Sequence, residues 1–206
     1  MSTVPYIATG VANDASVRAA FRRLGRELVA ASAADVVDAD LLVVPGVGHF
    51  AAAAERLREG CLREPLRARL AAGRPTLGIC LGMQLCCDGS DEAPDVPGLG
   101  ALAGRLQRFP KGMRCPQMGW NTVRAGAGNG SVRTGQAYFA NSYALPAEER
   151  AGWRQATCTH GIPFVAAAER GPVLLCQFHP ELSGAWGHDL LQRWLRRAAR
   201  AEEASC

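Results

Sequence analysis

Three residues could carry chemistry in this chain: Cys80, His179 and Glu181. Cys80 ends a short apolar run in Gly78-Ile79-Cys80-Leu81-Gly82, and a helix-compatible segment follows. Glycines on both sides of one reactive residue permit a strand-to-helix corner too tight for flanking side chains. Such a corner lifts the sulfur above a sheet edge and sets it at a helix N-terminus, where free N–H groups favour the thiolate. A cysteine nucleophile needs a base to take and return a proton, and the base needs a group to orient it. His179-Pro180-Glu181 offers both. Pro180 biases His179 toward extended backbone, where residues i and i+2 share a face. An attacked carbonyl also needs donors for its developing oxyanion. The N–H of Leu81 is one candidate; the loop Pro45-Gly46-Val47-Gly48, where glycines let main chain approach a ligand, is the other.

Positioning these groups is a task for an α/β fold. Short β-rich runs alternate with helical patterns, which predicts a mainly parallel open sheet flanked by helices, with antiparallel additions in the C-terminal half. Strands are expected at 4–8, 41–44, 76–79 and 173–178. A first helix has Ser16 as N-cap and Gly25 past its end; a second stretch, 51–72, is broken near Gly60; a last one covers 185–200. Strand-like pieces at 102–109, 120–124 and 138–140 supply the antiparallel part. In a parallel sheet the strands before Cys80 and His179 end at the same edge, where such sheets place their ligands. With no internal repeat and no dividing linker, residues 1–206 read as one domain.

Composition narrows the class. The net charge of +4 rests on arginines, with Lys111 the single lysine. Arg193, Arg196, Arg197 and Arg200 fit the solvated face of the last helix; without interleaved aromatics they do not make a nucleic-acid stripe. No apolar run is long enough to span a bilayer, and the opening residues do not read as a signal peptide. Eight cysteines without Cys-x-x-Cys spacing point to reduced thiols in a cytoplasmic protein, with no metal site and no cofactor. In that compartment the sequon Asn129-Gly130-Ser131 means nothing. Cys86 and Cys87 are expected to pack, and His49, His160 and His188 to cap or face solvent. The glycines between Gly98 and Gly104 lack the spacing and preceding strand of a dinucleotide loop.

Gly78-Ile-Cys80-Leu-Gly82-Met-Gln84 together with Gln177-Phe-His179-Pro-Glu181 resembles the class I glutamine amidotransferases, which release ammonia from glutamine through a cysteine thioester. Within that class the chain looks most like the glutaminase subunits of imidazole glycerol phosphate synthase. Pro45-Gly-Val-Gly48, Glu92-Ala-Pro94, Met118-Gly-Trp-Asn121 and Ser142-Tyr143 extend the resemblance almost end to end. It implies that Cys80 is the nucleophile, His179 the general base and acid, and Glu181 its orienter. Val47, Gly48 and Leu81 would form the oxyanion hole. Gly46, Gln84, Glu92, Asn141, Ser142 and Tyr143 would line the L-glutamine pocket, Glu92 facing the substrate ammonium. Gln117, Met118, Trp120, Asn121 and Leu182 would meet a (β/α)₈ synthase in a heterodimer. Ammonia would pass to that partner for histidine biosynthesis.

The sequence also departs from the family pattern. Gln117 and Asn141 stand where histidines are usual, Leu182 where a lysine is usual, and Ala8-Thr9-Gly10 where Asp-Tyr-Gly is usual. Gln117, Asn141 and Leu182 are expected on the partner-facing surface. Their loss of charge suggests an alternative: a paralogous subunit feeding a different acceptor enzyme.

Overall fold

In the computed structural model, which describes residues 2–7, 14–128 and 130–203, strand and helix alternate through the N-terminal part. The order is β1 (Ser2–Tyr6), α1 (Asp14–Arg23), β2 (Arg26–Ala30), α2 (Ala33–Asp38), β3 (Leu42–Val44), α3 (Phe50–Glu59), α4 (Arg63–Ala71), β4 (Thr76–Ile79) and α5 (Leu81–Leu85). Shorter strands follow: β5 (Gly89–Ser90), β6 (Ala93–Pro97), β7 (Arg105–Arg108), β8 (Gln117–Val123), β9 (Gly135–Asn141) and β10 (Tyr143–Ala144). The chain closes with β11 (Arg154–His160), β12 (Ile162–Arg170), β13 (Val173–Cys176), a 3₁₀ turn (Pro180–Leu182) and α6 (Gly184–Glu203). Ala8-Thr9-Gly10 and Asn129 lie outside the described residues.

The main sheet has the order β11-β12-β13-β4-β3-β1-β2. From β13 to β2 every pairing is parallel; β11 and β12 add on antiparallel. Alternation along each strand feeds two cores. Leu77 and Ile79 of β4 face a core with Phe21, Phe178 and Trp194, whereas Val173 and Leu175 of β13 face one with Phe50, Leu66 and Met83. A four-stranded sheet β10-β7-β5-β6 and the β8–β9 hairpin are separate from it, and β9 meets the segment after β13 where Tyr138 bridges His179.

Arg69 of α4 is buried, and it fixes where β4 begins. Its guanidinium donates to the carbonyls of Val36, Ala39, Asp40 and Pro75 and to the Thr76 hydroxyl. A cation at the C-terminal end of α2 satisfies carbonyls that the helix leaves unpaired. The expected break near Gly60 is present, between α3 and α4. One expectation is corrected: α1 starts at Asp14, so Ser16 lies inside the helix and does not cap it. Gly25 does follow the helix, with φ +73°.

Where β4 turns into α5, the backbone leaves no room for side chains. A Cβ on Gly82 would stand 1.8 Å from the Val44 carbonyl oxygen, and one on Gly78 2.8 Å from a Leu175 methyl. Backbone cannot swing aside as a flexible side chain can. Gly82→Ala is therefore expected to destabilise the fold by about 3 kcal/mol, at the upper end for overpacking. A urea-denaturation midpoint that barely moves would show that α5 and β3 separate freely.

Candidate active site

Cys80 sits at the corner with φ 52° and ψ −107°. A non-glycine residue in that region costs on the order of 1–3 kcal/mol and persists where its surroundings over-determine it. Here they do: the Cys80 N–H donates to the Cys176 carbonyl at 2.7 Å, and α5 is wedged against β3 by Gly82. The thiol is 5% exposed and opens on a cavity of about 140 Å³. Sites for drug-sized ligands run roughly 300–1,000 Å³, so this one suits a molecule the size of an amino acid.

His179 arrives from β13 on extended backbone, φ −100° and ψ 95°. Its N–H donates to the Tyr138 carbonyl at 2.9 Å, and its own carbonyl accepts the Ser183 hydroxyl at 2.6 Å. Nδ1 donates to Glu181 Oε1 at 2.8 Å with both side chains buried. That bond leaves Nε2 for Cys80. Burial opposes charge on the ring, but the nearby Cys80 sulfur and the hydrogen-bonded Glu181 carboxylate prevail and raise its pKa to about 10. The arrangement favours a protonated imidazole beside the Cys80 sulfur.

The cavity wall collects the residues that the sequence singled out: Val47, Gly48, Leu81, Gln84, Glu92, Asn141, Ser142 and Tyr143. Glu92 is held in place, since Oε2 accepts the Phe50 N–H at 2.7 Å at the start of α3. Pro116, preceded by a cis peptide bond, and Ala140 complete the wall and were not foreseen. Gly46 does not line the cavity. Its carbonyl accepts the Leu81 N–H at 3.2 Å, which corrects one expectation: in this conformation Leu81 is not a free oxyanion donor.

Two further corrections concern the surface expected to meet a partner. Along β8 alternate residues face opposite sides. Met118 and Trp120 point outward, each 58% exposed, and Leu182 is exposed beside them. Gln117 points inward and is buried opposite Asn141, its cross-strand neighbour, which is also buried. Asn121 shares the Gln117 side, and its amide donates to the Thr159 carbonyl at 2.9 Å.

Gln177, fully buried, was missed as a site residue. Its amide donates to Cys80 Sγ at 3.7 Å and accepts from Gln84 Nε2 at 3.1 Å, while Gln84 Nε2 also reaches the Tyr143 carbonyl at 3.3 Å. A chain of amides thus joins the cavity wall to the sulfur. The signal was available: Gln177 stands two residues before His179 on extended chain, on the same face.

Cys86, Cys87, Cys158, Cys176, His49 and His160 serve structure. Burial pushes the Cys86 thiol up to about 12 and Cys158 to about 11, and Cys176 well above the usual thiol value. Cys86 and Cys87 pack inside α5's surroundings, bonding the Gly82 and Met83 carbonyls. His49 is the N-cap of α3, accepting from the Ala51 N–H at 3.2 Å. His160 bonds the Arg114 carbonyl at 2.8 Å.

A family model described as glutamine amidotransferase class-I matches residues 16–198. This chain belongs to the class I glutamine amidotransferases. The imidazole glycerol phosphate synthase subunit HisH of Deinococcus radiodurans is 41% identical, the alignment covering 98% of this amidotransferase and 100% of the relative. The HisH subunit of Symbiobacterium thermophilum is 40% identical over 95% of this chain and 94% of its own. The chloroplastic imidazole glycerol phosphate synthase hisHF of Arabidopsis thaliana is 39% identical over 94% of this chain, but over 34% of its own length. Among solved structures, a glutamine amidotransferase matches with TM-score 0.74 at 20% identity, covering 95% of this chain and 98% of that one. PurLQS from Thermotoga maritima matches with TM-score 0.71 at 16% identity, over 95% and 97%. These two share the amidotransferase fold. Among the described residues, no helix is long and apolar enough to cross a membrane.

Proposed function

We propose that this chain, acting as one domain over residues 1–206, is the glutaminase subunit of an imidazole glycerol phosphate synthase, with Cys80, His179 and Glu181 as its catalytic residues. The observation that carries the chemistry is a strained, nearly buried Cys80 beside an imidazole whose other nitrogen is held by Glu181 at 2.8 Å.

The thiolate of Cys80 attacks the side-chain carbonyl carbon of glutamine, and the carbonyl electron pair moves to oxygen. Collapse of that oxyanion expels the amide nitrogen, which takes the proton of His179 and leaves as ammonia. The resulting thioester is attacked by water, whose proton passes to His179, and glutamate departs as Cys80 regains its thiolate. Gln84, Ser142 and Tyr143 shape the pocket, and the Glu92 carboxylate, fixed against α3, attracts the substrate ammonium. The oxyanion hole needs a rearrangement. Leu81 can donate to the oxyanion only after the Gly46 carbonyl lets go, and the loop can turn because Gly48, at φ +114°, tolerates backbone that other residues avoid. Hydrolysis by the free subunit is accordingly slow, and a partner that turns the loop accelerates it.

The partner is a (β/α)₈ cyclase that receives ammonia and forms imidazole glycerol phosphate and an aminoimidazole carboxamide ribotide, in the cytoplasm. The hisHF relative of Arabidopsis, three times the length matched, supports a second moiety working beside the amidotransferase. The alternative of a different acceptor loses most of its support. Gln117 and Asn141, two of the three substitutions behind it, are buried within this chain rather than displayed on its surface.

The reading is tested by mixing the purified chain with such a cyclase and its ribulosyl phosphate substrate. Glutamate and imidazole glycerol phosphate are expected in equal amounts; glutamate without the imidazole product would redirect the ammonia to another acceptor. Trp120 is the anchor of the docking face. Trp120→Ala is expected to weaken the complex by about 2 kcal/mol or more, roughly 30-fold in Kd. An unchanged Kd by calorimetry would move the interface elsewhere.

A further inference from the structure

Away from the active site, a recess of about 330 Å³ is lined by Ser131, Arg133, Arg193, Arg196, Arg197 and Arg200. The four arginines of α6 stand at i, i+3, i+4 and i+7, one face of the helix. The sequence accounts for them as a solvated stripe. The structure adds Arg133 and Ser131 from the segment before β9, so that two elements wall a concavity.

Two polar atoms of its lining residues are buried and lack partners. Ser131 is buried, and its hydroxyl has no hydrogen-bond partner. Arg193 spends Nε on the Ser131 carbonyl at 2.7 Å, while its buried Nη2 bonds nothing. Among the residues whose side chains are described, no carboxylate forms an ion pair with Arg133, Arg193, Arg196 or Arg200. One of the two nearby acids, Glu169, is already engaged: it pairs with Arg154 and accepts the N–H groups of Ser131 and Val132 at 2.7 and 3.0 Å. Burial, with Arg133 and Arg196 alongside, lowers Arg193's hold on its proton, although Asp189 and Glu169 work the other way. A buried donor and a buried cation edge with nothing to bond are costly unless a ligand completes them.

We infer that this recess binds a small ligand carrying clustered phosphates, seated on Arg193 and the Ser131 hydroxyl and clasped by Arg133, Arg196 and Arg200. Guanidinium forks match phosphate oxygens in pairs, and several forks around one concavity suit more than one phosphate. Among the described residues no aromatic side chain lines the recess, so an attached base would find no stacking surface there.

The test is calorimetric titration of the full chain with inorganic orthophosphate, inorganic triphosphate and ATP at constant ionic strength. One saturable site is expected, with triphosphate at least tenfold tighter than orthophosphate and ATP equal to triphosphate within about threefold. The exposed double variant Arg133→Ser/Arg196→Ser should weaken triphosphate at least tenfold, while Cys80→Ala should leave it within twofold. The last result separates this site from the glutamine pocket, so failure here would not touch the amidotransferase reading. Retention of full affinity in the double variant would overturn the proposal. So would titrations that follow ionic strength alone, or ATP binding far more tightly than triphosphate. A 20-nucleotide DNA strand competing better than triphosphate would assign the arginines to nucleic acid and equally defeat it.

Discussion

Replacing Cys80 by alanine is expected to reduce glutamine hydrolysis in the partner complex by on the order of 10⁴-fold or more. His179→Ala should cost about as much, and the double variant little more, because groups that act as one unit do not contribute additively. The measurement is glutamate release by the saturated complex. Activity within tenfold of wild type in Cys80→Ala would require another nucleophile. Burial denies the remaining core thiols that role: Cys86 and Cys158 are held at about 12 and about 11. Complex formation should survive the substitution, since Cys80 lies under the cavity and not on the face that carries Met118 and Trp120.

Glu181→Gln is expected to lower kcat by roughly 10²–10⁴-fold and to change its pH dependence. The His179 ring is lifted from 6.5 to about 10 against the effect of burial, in part by the Glu181 carboxylate. Glutamine in its place is neutral, so the ring gives up its proton at lower pH and cannot deliver it to the departing ammonia. The alkaline limb of kcat should therefore move down by about 1–3 pH units, the shift typical of losing a close opposite charge. Stability follows the same proton. A raised histidine pKa stabilises the fold fully below the unfolded value of 6.5, and that contribution fades as pH climbs toward about 10. Between pH 6 and pH 9 the variant's urea midpoint should accordingly vary less than that of wild type. An unmoved alkaline limb would remove Glu181 from any part in tuning the base.

How much of this was legible in the residues depended on how local each signal was. Gly78-Ile-Cys80-Leu-Gly82 dictates its corner by sterics alone, and the structure places β4 and α5 where that motif puts them. Val173 to Cys176, buried throughout, reads as an interior strand and is one. β2 was not anticipated, because Arg26-Glu27-Leu28-Val29-Ala30 lies at the sheet edge and buries only Leu28. The hairpin β11–β12 was missed too. Its interior run Val165-Ala166-Ala167-Ala168 has as much helical as strand character, and only pairing with β13 decides between them. For the site, Cys80, His179 and Glu181 could be named from motif and alternation, and the cavity wall from the family resemblance. The inward turn of Gln117 could not, since it depends on the register of β8 against β9, which fixes which residues of the hairpin share its face. The engagement of Leu81 by Gly46 is likewise a tertiary fact, created when the loop after β3 folds over the corner.

The placement of Trp120 has a mechanical corollary. It is the cross-strand partner of Tyr138, and the Tyr138 carbonyl in turn grips the His179 N–H. Tyr138's own N–H rests on the Ser183 hydroxyl, which anchors the His179 carbonyl. Pressure applied to one outward indole is thus delivered, through a single rung of hairpin, to the main chain on both sides of the imidazole. An enzyme wired in this way can sense occupancy of its outer face through backbone as well as through its loop, because the lever and the proton carrier are held by the same tyrosine.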